Sequence, residues 1–266
     1  MDNRELAGDP QAGGAAGPDT GERRRRLDTL VATIVACRRC PRLVTHREAV
    51  AAAPPRRYAG QAYWARPLPG FGSLDARLLL VGLAPAAHGG NRTGRIFTGD
   101  ESGHWLFRTL WEAGFANQPT SVHRDDGLRL HDAYVTAAVR CAPPANRPTP
   151  AEIATCRPYL VEELRLLDRV RVVVGLGRIG WHAYLGARRA LGLAVPRPLP
   201  TFAHGAVTRF EDGITLIASY HPSQQNTFTG KLTRPMFRRI FETARRLVES
   251  GRSGRPAPTG AARRSR

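Results

Sequence analysis

Lysine is almost missing from this chain. Of its 40 basic residues 39 are arginine, and Lys231 is the single lysine. Amine-nucleophile chemistry is thereby confined to one position, and nothing around Lys231 gives the context of a Schiff base. Acidic residues are scarce too, 22 against 40 basic, for a formal net charge of +18. That balance points to a polyanion such as nucleic acid, because each neutralised phosphate releases counterions; biased codon usage would also enrich arginine, alanine and glycine. No run of some 18 apolar residues exists, so no segment is expected to span a membrane. Residues 1–26 contain no apolar signal-peptide core and end in "RRRR", so no secretory leader is expected and the expected compartment is the cytoplasm. The Gly-rich stretch after residue 82, "LAPAAHGGNRTGRIFTGD", is not a Walker loop, and no ribose-binding acid follows it at the proper spacing. A bound nucleotide cofactor is therefore not expected.

What is present fits one α/β domain. The tails, 1–26 and 251–266, are Gly, Pro, Ala and charge with few large apolar residues, and are expected to be disordered; the domain is expected at 27–250. Short runs rich in Val, Leu and Ile predict strands at Leu78–Gly82, Tyr134–Val139, Val170–Gly175 and Ile214–Tyr220. Helical patterns fall between and after them at Gly103–Gly114, Pro150–Leu167, Ile179–Leu191 and Pro235–Val248. Thr149-Pro150-Ala151-Glu152 is a helix start, with a capping hydroxyl, a first-turn proline and a glutamate that can reach back. The expected architecture is a three-layer α/β/α sandwich around a four-stranded parallel sheet, in a single domain. Ligands of such sheets sit beyond the carboxyl ends of the strands, where all four strands here are followed by loops rich in Gly, Pro and polar residues.

The four cysteines are Cys37, Cys40, Cys141 and Cys156. In a reducing compartment disulfides are disfavoured, and four thiols can ligate structural zinc or a four-iron four-sulfur cluster. Spacing alone does not separate the two, although a second pair split by a proline loop and a helix turn favours the cluster. Alternatively Cys141 and Cys156 are buried apolar residues. A metal site would tie an N-terminal helix at about Leu27–Cys40 to the loop of the second strand.

Taken in register, the C-x2-C pair, "GLAPAAHGGNRTGRIFTGDESG", "VTAAVRCAPPANRPTPAEIATC" and "SYHPSQQNTFTGKLT" resemble the family 5 uracil-DNA glycosylases, the iron–sulfur branch of that superfamily. The resemblance spans about Cys37 to Val248. It implies an α/β/α fold, a four-iron four-sulfur cluster on Cys37, Cys40, Cys141 and Cys156, and excision of deaminated bases from DNA. Family 4 relatives carry an acidic residue where this chain has Leu83 and an asparagine where it has Ala137, so a specificity wider than uracil, reaching hypoxanthine and xanthine, is expected.

The resemblance also assigns roles. An extruded base would lie against Gly82, Leu83, Ala84 and Pro85 and stack on Phe97. His221 would hydrogen-bond the departing base as it gathers charge, Asp100 would favour the sugar cation and activate water, and Asn146 would contact base or water. Phe97 could instead be core, and Asp100 could cap a helix. Ser223, Gln225 and Asn226 belong to a loop expected to enter the DNA, with Arg38, Arg39, Lys231 and Arg234 on phosphates. DNA with deaminated bases is the expected partner, and a monomer the expected state. The competing reading is a non-catalytic iron–sulfur module that binds nucleic acid as a damage sensor.

Overall fold

A computed structural model of the protein describes residues 20–250. Of the two expected tails, 1–19 and 251–266 lie outside the described residues, but 20–26 is not tail. It opens helix α1 (Thr20–Val35). Leu27, Leu30 and Ile34 of α1 are buried against Tyr159 and Leu166, and the buried Arg23 donates to the carbonyls of Leu166 and Leu74 at 3.2 and 2.8 Å. The RRRR run at the end of the expected tail thus contains an inward arginine.

The helix expected to continue to Cys40 also ends early, and α2 (Pro41–Ala52) follows as a separate element. Pro41 is the cause. A proline disfavours helical backbone in the residue before it, and Cys40 is extended at φ −112°, ψ 92°. Cys37-Arg38-Arg39-Cys40 is therefore a loop between two helices.

The sheet has six strands rather than four. β1 (Phe71–Gly72), β2 (Leu78–Gly82), β3 (Ala133–Ala137), β4 (Val172–Leu176), β5 (Val207–Arg209) and β6 (Thr215–Ser219) lie in the order β1-β3-β2-β4-β6-β5. The expected parallel set is its centre, β3-β2-β4-β6, while β1 and β5 add antiparallel edges. These two strands, of two and three residues, carry no apolar run from which to find them. Every residue of the four central strands is buried, and their side chains alternate between the faces. Leu78, Leu80, Val135, Val172, Val174 and Ile217 face α4 (Glu101–Glu112) and α8 (Arg234–Ser250), whereas Leu79, Val81, Val173, Leu216 and Ala218 face α5 (Pro150–Leu166) and α6 (Gly177–Ala190). The result is the expected three layers.

The chain leaves β2 towards α4 on one face and leaves the adjacent β4 towards α6 on the other. Their carboxyl ends diverge and open a crevice, as at other topological switch points. Two short helices missed by periodicity, α3 (Gly90–Thr93) and α7 (Gln224–Phe228), lie in the loops after β2 and β6. The Thr149 start forms as read, the Glu152 amide donating to Thr149 Oγ1 at 3.2 Å and the Thr149 amide donating to Glu152 Oε2 at 2.7 Å.

Candidate active site

A cavity of about 680 Å³ occupies the crevice, lined from four loops by Leu83, Ala84, His88, Gly89, Phe97, Asp100, Asn146, His221, Ser223 and Gln225 among others. Asp100, His221 and Asn146 therefore share one space. Both readings of Asp100 hold at once. It is the N-cap of α4, Oδ1 accepting from the Gly103 amide at 2.8 Å, while Oδ2 is pressed against Gly89 so closely that a β-carbon there would collide with it. Burial raises the Asp100 pKa, with the amides of Gly103 and Ser102 and nearby His104 and Arg92 pulling the other way.

His221 follows β6. Its imidazole has no hydrogen bond among the described residues and stacks on Phe97, ring centroids 5.7 Å apart. Desolvation lowers its pKa to about 4, so the ring is neutral at physiological pH. Asn226 Nδ2 donates to the His221 carbonyl at 2.8 Å, fixing the backbone that carries the ring, and Gly177 approaches the His221 β-carbon from the start of α6. Phe97 is likewise two things at once: it packs in the core, 7 % exposed, and its ring forms part of the cavity wall.

Backbone strain gathers here. Of five non-glycine residues with positive φ among the described residues, Phe97, Ala145 and Asn146 line the cavity. Left-handed backbone costs a residue such as Ala145 roughly 1–2 kcal/mol, and such outliers cluster at functional sites. Asn146 is exposed at the mouth, on the short turn Pro144–Asn146.

A family profile, the uracil DNA glycosylase superfamily, matches residues 69–245. The type-5 uracil-DNA glycosylase of Mycobacterium tuberculosis is 52 % identical over 220 residues, covering 82 % of this chain and 81 % of the relative. The chain belongs to the type-5 branch of the uracil-DNA glycosylase superfamily. The type-5 enzyme of Thermus thermophilus is 52 % identical over 221 residues, 83 % of this chain and 98 % of its own. A type-4 enzyme of Archaeoglobus fulgidus falls to 28 % over 218 residues, 82 % of this chain and 88 % of its own.

In this type-5 chain the other expected site residues divide. Leu83, Ala84, Ser223 and Gln225 line the cavity. Gly82 lies behind it, where a β-carbon would strike the Phe97 ring at 2.7 Å; Pro85 is buried beside Gly90, and Asn226 serves His221 from behind. None of the four cations expected on phosphates lines the cavity. Arg38 forms a bidentate pair with Glu48 at 2.6 and 3.2 Å, Arg39 lies over Tyr159, Lys231 over Tyr220 and Arg234 over Trp105. The sequence reading passed over His88, Gly89, Arg57 and Arg147, all of which line it. Only a glycine beside a histidine in the motif loop hinted at the first two.

The cysteines form no disulfide. Cys141 and Cys156 are buried in a cluster with Leu43 and Val139, with Cys40 packed against it. Cys37 lies within hydrogen-bonding range of Tyr159, whose phenol is pushed up to about 12 by burial and by Cys37. Burial raises the Cys141 thiol to about 12, and Cys156 and Cys37 add to the rise; Cys40 and Cys156 are raised by burial and, in smaller part, by Cys37. Cys40, Cys141 and Cys156 thus each feel at least one other of these sulfurs, Cys141 and Cys156 across a gap of about a hundred residues in sequence. Against this build-up stands Arg47, buried, donating to Cys141 Sγ at 2.9 Å. Among the described residues no set of three or more His, Cys, Asp and Glu side chains stands in the arrangement of a bound metal ion's ligands.

Proposed function

We propose that the protein is a monofunctional DNA glycosylase of base-excision repair that hydrolyses the N-glycosidic bond of uracil after rotating the nucleotide out of the duplex. The observation that carries this reading is the convergence of Asp100, His221 and Asn146 on one cavity walled by the Phe97 ring. Extruding a base costs a few kcal/mol, less from a mispair. Once inside, the base stacks on Phe97 beside Leu83 and Ala84. As the C1′–N bond breaks, negative charge gathers on the base and positive charge on the sugar. The neutral imidazole of His221 donates its N–H to the base carbonyl, an interaction with several kcal/mol of leverage in a desolvated site. The Asp100 carboxylate stabilises the sugar cation and accepts a proton from the attacking water, and Asn146 holds that water or the base edge.

The test is a uracil-bearing oligonucleotide incubated with the purified protein. Abasic product, revealed only after alkali or heat, is expected. Strand scission without alkali would indicate a lyase, and equal affinity for damaged and undamaged DNA with no abasic product would leave only a binding module.

Three finer statements belong to the same reading. The pocket accepts hypoxanthine and xanthine as well as uracil, because Leu83 presents methyl groups to the cavity and an apolar wall discriminates weakly between bases. Cys37, Cys40, Cys141 and Cys156 hold a four-iron four-sulfur cluster, which the clustering of Cys40, Cys141 and Cys156 and the buried Arg47 guanidinium donating to sulfur support; when bound, it supplies a covalent tie between the α1–α2 loop and the segment after β3. The enzyme acts as a monomer in the cytoplasm; no helix among the described residues is long and apolar enough to cross a membrane.

A further inference from the structure

None of the four cations expected on the DNA backbone lines the cavity, yet the cavity has cations of its own. Arg57 stands on the short turn Arg56–Tyr58, and Arg147 follows Asn146. Both are exposed, both line the cavity, and neither pairs with a carboxylate among the described residues. The cavity's two carboxylates are otherwise engaged: Asp100 caps α4, and Glu101 lies 3.5 Å from His104.

Each arginine is held for a purpose its neighbours do not consume. The Arg57 guanidinium lies 4.8 Å from the Tyr58 ring centroid, and Arg92 lies 4.3 Å from the same ring. The backbone of Arg147 is pinned from both sides, its amide donating to the Pro144 carbonyl at 3.0 Å and its carbonyl accepting from Arg42 Nη2 at 3.0 Å. Beside Arg57, the His88 Nδ1 is 2.9 Å from the Tyr63 hydroxyl. Burial raises the Tyr63 phenol, which stays protonated, and burial with Arg57 and Arg92 lowers His88, which stays neutral. In the tautomer in which Tyr63 donates to Nδ1, the imidazole proton sits on Nε2. His88 lines the cavity and Tyr63 does not. Arg92 ties this segment to the catalytic loop, donating to the His88 and Gly99 carbonyls at 2.8 and 3.0 Å.

We propose that Arg57, Arg147 and the Nε2–H of His88 form the seat for the phosphates that flank the extruded nucleotide. The base and sugar inside the cavity carry no formal charge before reaction, whereas two phosphates must remain at its mouth, where the unpaired guanidiniums stand. The seat holds the phosphates while Phe97, Asp100 and His221 act on what lies between them. This inference rests on the glycosylase reading above.

The test measures binding of abasic and undamaged duplexes over a range of salt, with single-turnover excision rates, for the wild type and for Arg57→Gln, Arg147→Gln and the double variant. Each phosphate contact contributes about 0.9 to the slope of log K against log salt on duplex DNA. Each single variant is expected to lose about one contact's slope and roughly tenfold in affinity, with a smaller change in the rate at saturating DNA; Arg57→Lys should restore the slope. Arg38→Gln, whose partner is Glu48, should leave it unchanged. A duplex with neutral methylphosphonates flanking the uracil should weaken the wild type as Arg57→Gln does and add little to that variant. His88→Gln, which keeps a donor, should fall less than His88→Ala. Unchanged slopes in Arg57→Gln and Arg147→Gln, or full additivity with the methylphosphonates, would overturn the seat. The two readings separate cleanly: a wild type that makes no abasic product refutes the glycosylase, whereas one that makes it with unaltered variant slopes refutes only the seat.

Discussion

The carboxyl edge of the sheet keeps two groups of reactive side chains under opposite conditions. In the cavity, polar atoms have capacity to spare: the His221 ring bonds to nothing among the described residues, Asp100 uses one oxygen on α4, and two arginines lack carboxylate partners. In the cysteine region, starting from the same loop after β3, charged groups are buried in pairs, although Arg47 Nε and Arg140 Nε are buried without a hydrogen-bond partner among the described residues. Arg140 and Glu163, each 1 % exposed, are joined at 2.6 and 3.0 Å, with Thr136 donating to the same carboxylate at 2.7 Å. Arg42 and Glu152 lock α2 to the start of α5 at 2.7 and 2.8 Å. One region is built to receive a ligand's charges, the other to hold a shape. Substitutions in the first should therefore change rate and spare stability, and substitutions in the second should do the reverse.

The largest effects test the cavity. Asp100→Asn retains an oxygen to cap α4, so its thermal midpoint should stay near wild type while single-turnover uracil excision falls about 10²–10⁴-fold. His221→Ala should fall about 10²–10³-fold. A matching loss of thermal stability in both would erase the contrast between the regions. In the cysteine region the expected pattern is inverted. Cys141→Ser should lose iron and brown colour and unfold at lower temperature, and whatever folded fraction remains should still carry an intact cavity, read as retained affinity for abasic DNA.

Gly89→Ala sharpens the comparison at one carbon. The added methyl has no room beside Asp100 Oδ2, and a displacement near 1 Å costs on the order of 10²-fold in rate. Excision should drop by that order, with little change in undamaged-DNA affinity, and Asp100→Asn placed on top should cost far less than it does alone.

The pH profile discriminates more finely. Asp100, raised by burial, must be ionised to act, so kcat/KM should fall as pH drops through a pKa above the ordinary carboxylate value of about 3.9. His221, lowered to about 4, stays neutral through the ordinary histidine range, so no limb should appear near about 6.5. Asp100→Asn should abolish the acid limb. The His221 shift also bears on stability: between about pH 6.5 and 4 the unfolded chain binds a proton that the native ring refuses, so stability should decline as pH falls through that window, and less so in His221→Asn.

How much of this could be read from the residues depends on whether a pattern repeats. The four central strands announce themselves as apolar runs, and α5 as a capping box plus periodicity. Their edges, β1 and β5, are too short to show a period, and the split between α1 and α2 turns on one proline. The site was legible where a motif marked it: Asp100, His221, Asn146 and Phe97 do share a cavity. It was illegible where the marker was charge alone. Arg38 and Arg57 look alike in sequence, each in a pair of arginines, and only the fold gives Glu48 to one and open space to the other.

The smallest effect concerns Phe228, at the end of α7 and 77 % exposed, in the loop Ser223–Lys231 expected to enter the DNA. The Phe228 ring packs against no core cluster among the described residues. If the loop fills the space vacated by the extruded nucleotide, Phe228→Ala should slow excision from duplex DNA several-fold by removing the ring that replaces a stacked base. Excision from single strands, where no stack is broken, should be unchanged. An equal loss on both substrates would mean that the ring acts on the cavity itself, and the division between a receiving cavity and the loop that opens the duplex would have to be redrawn.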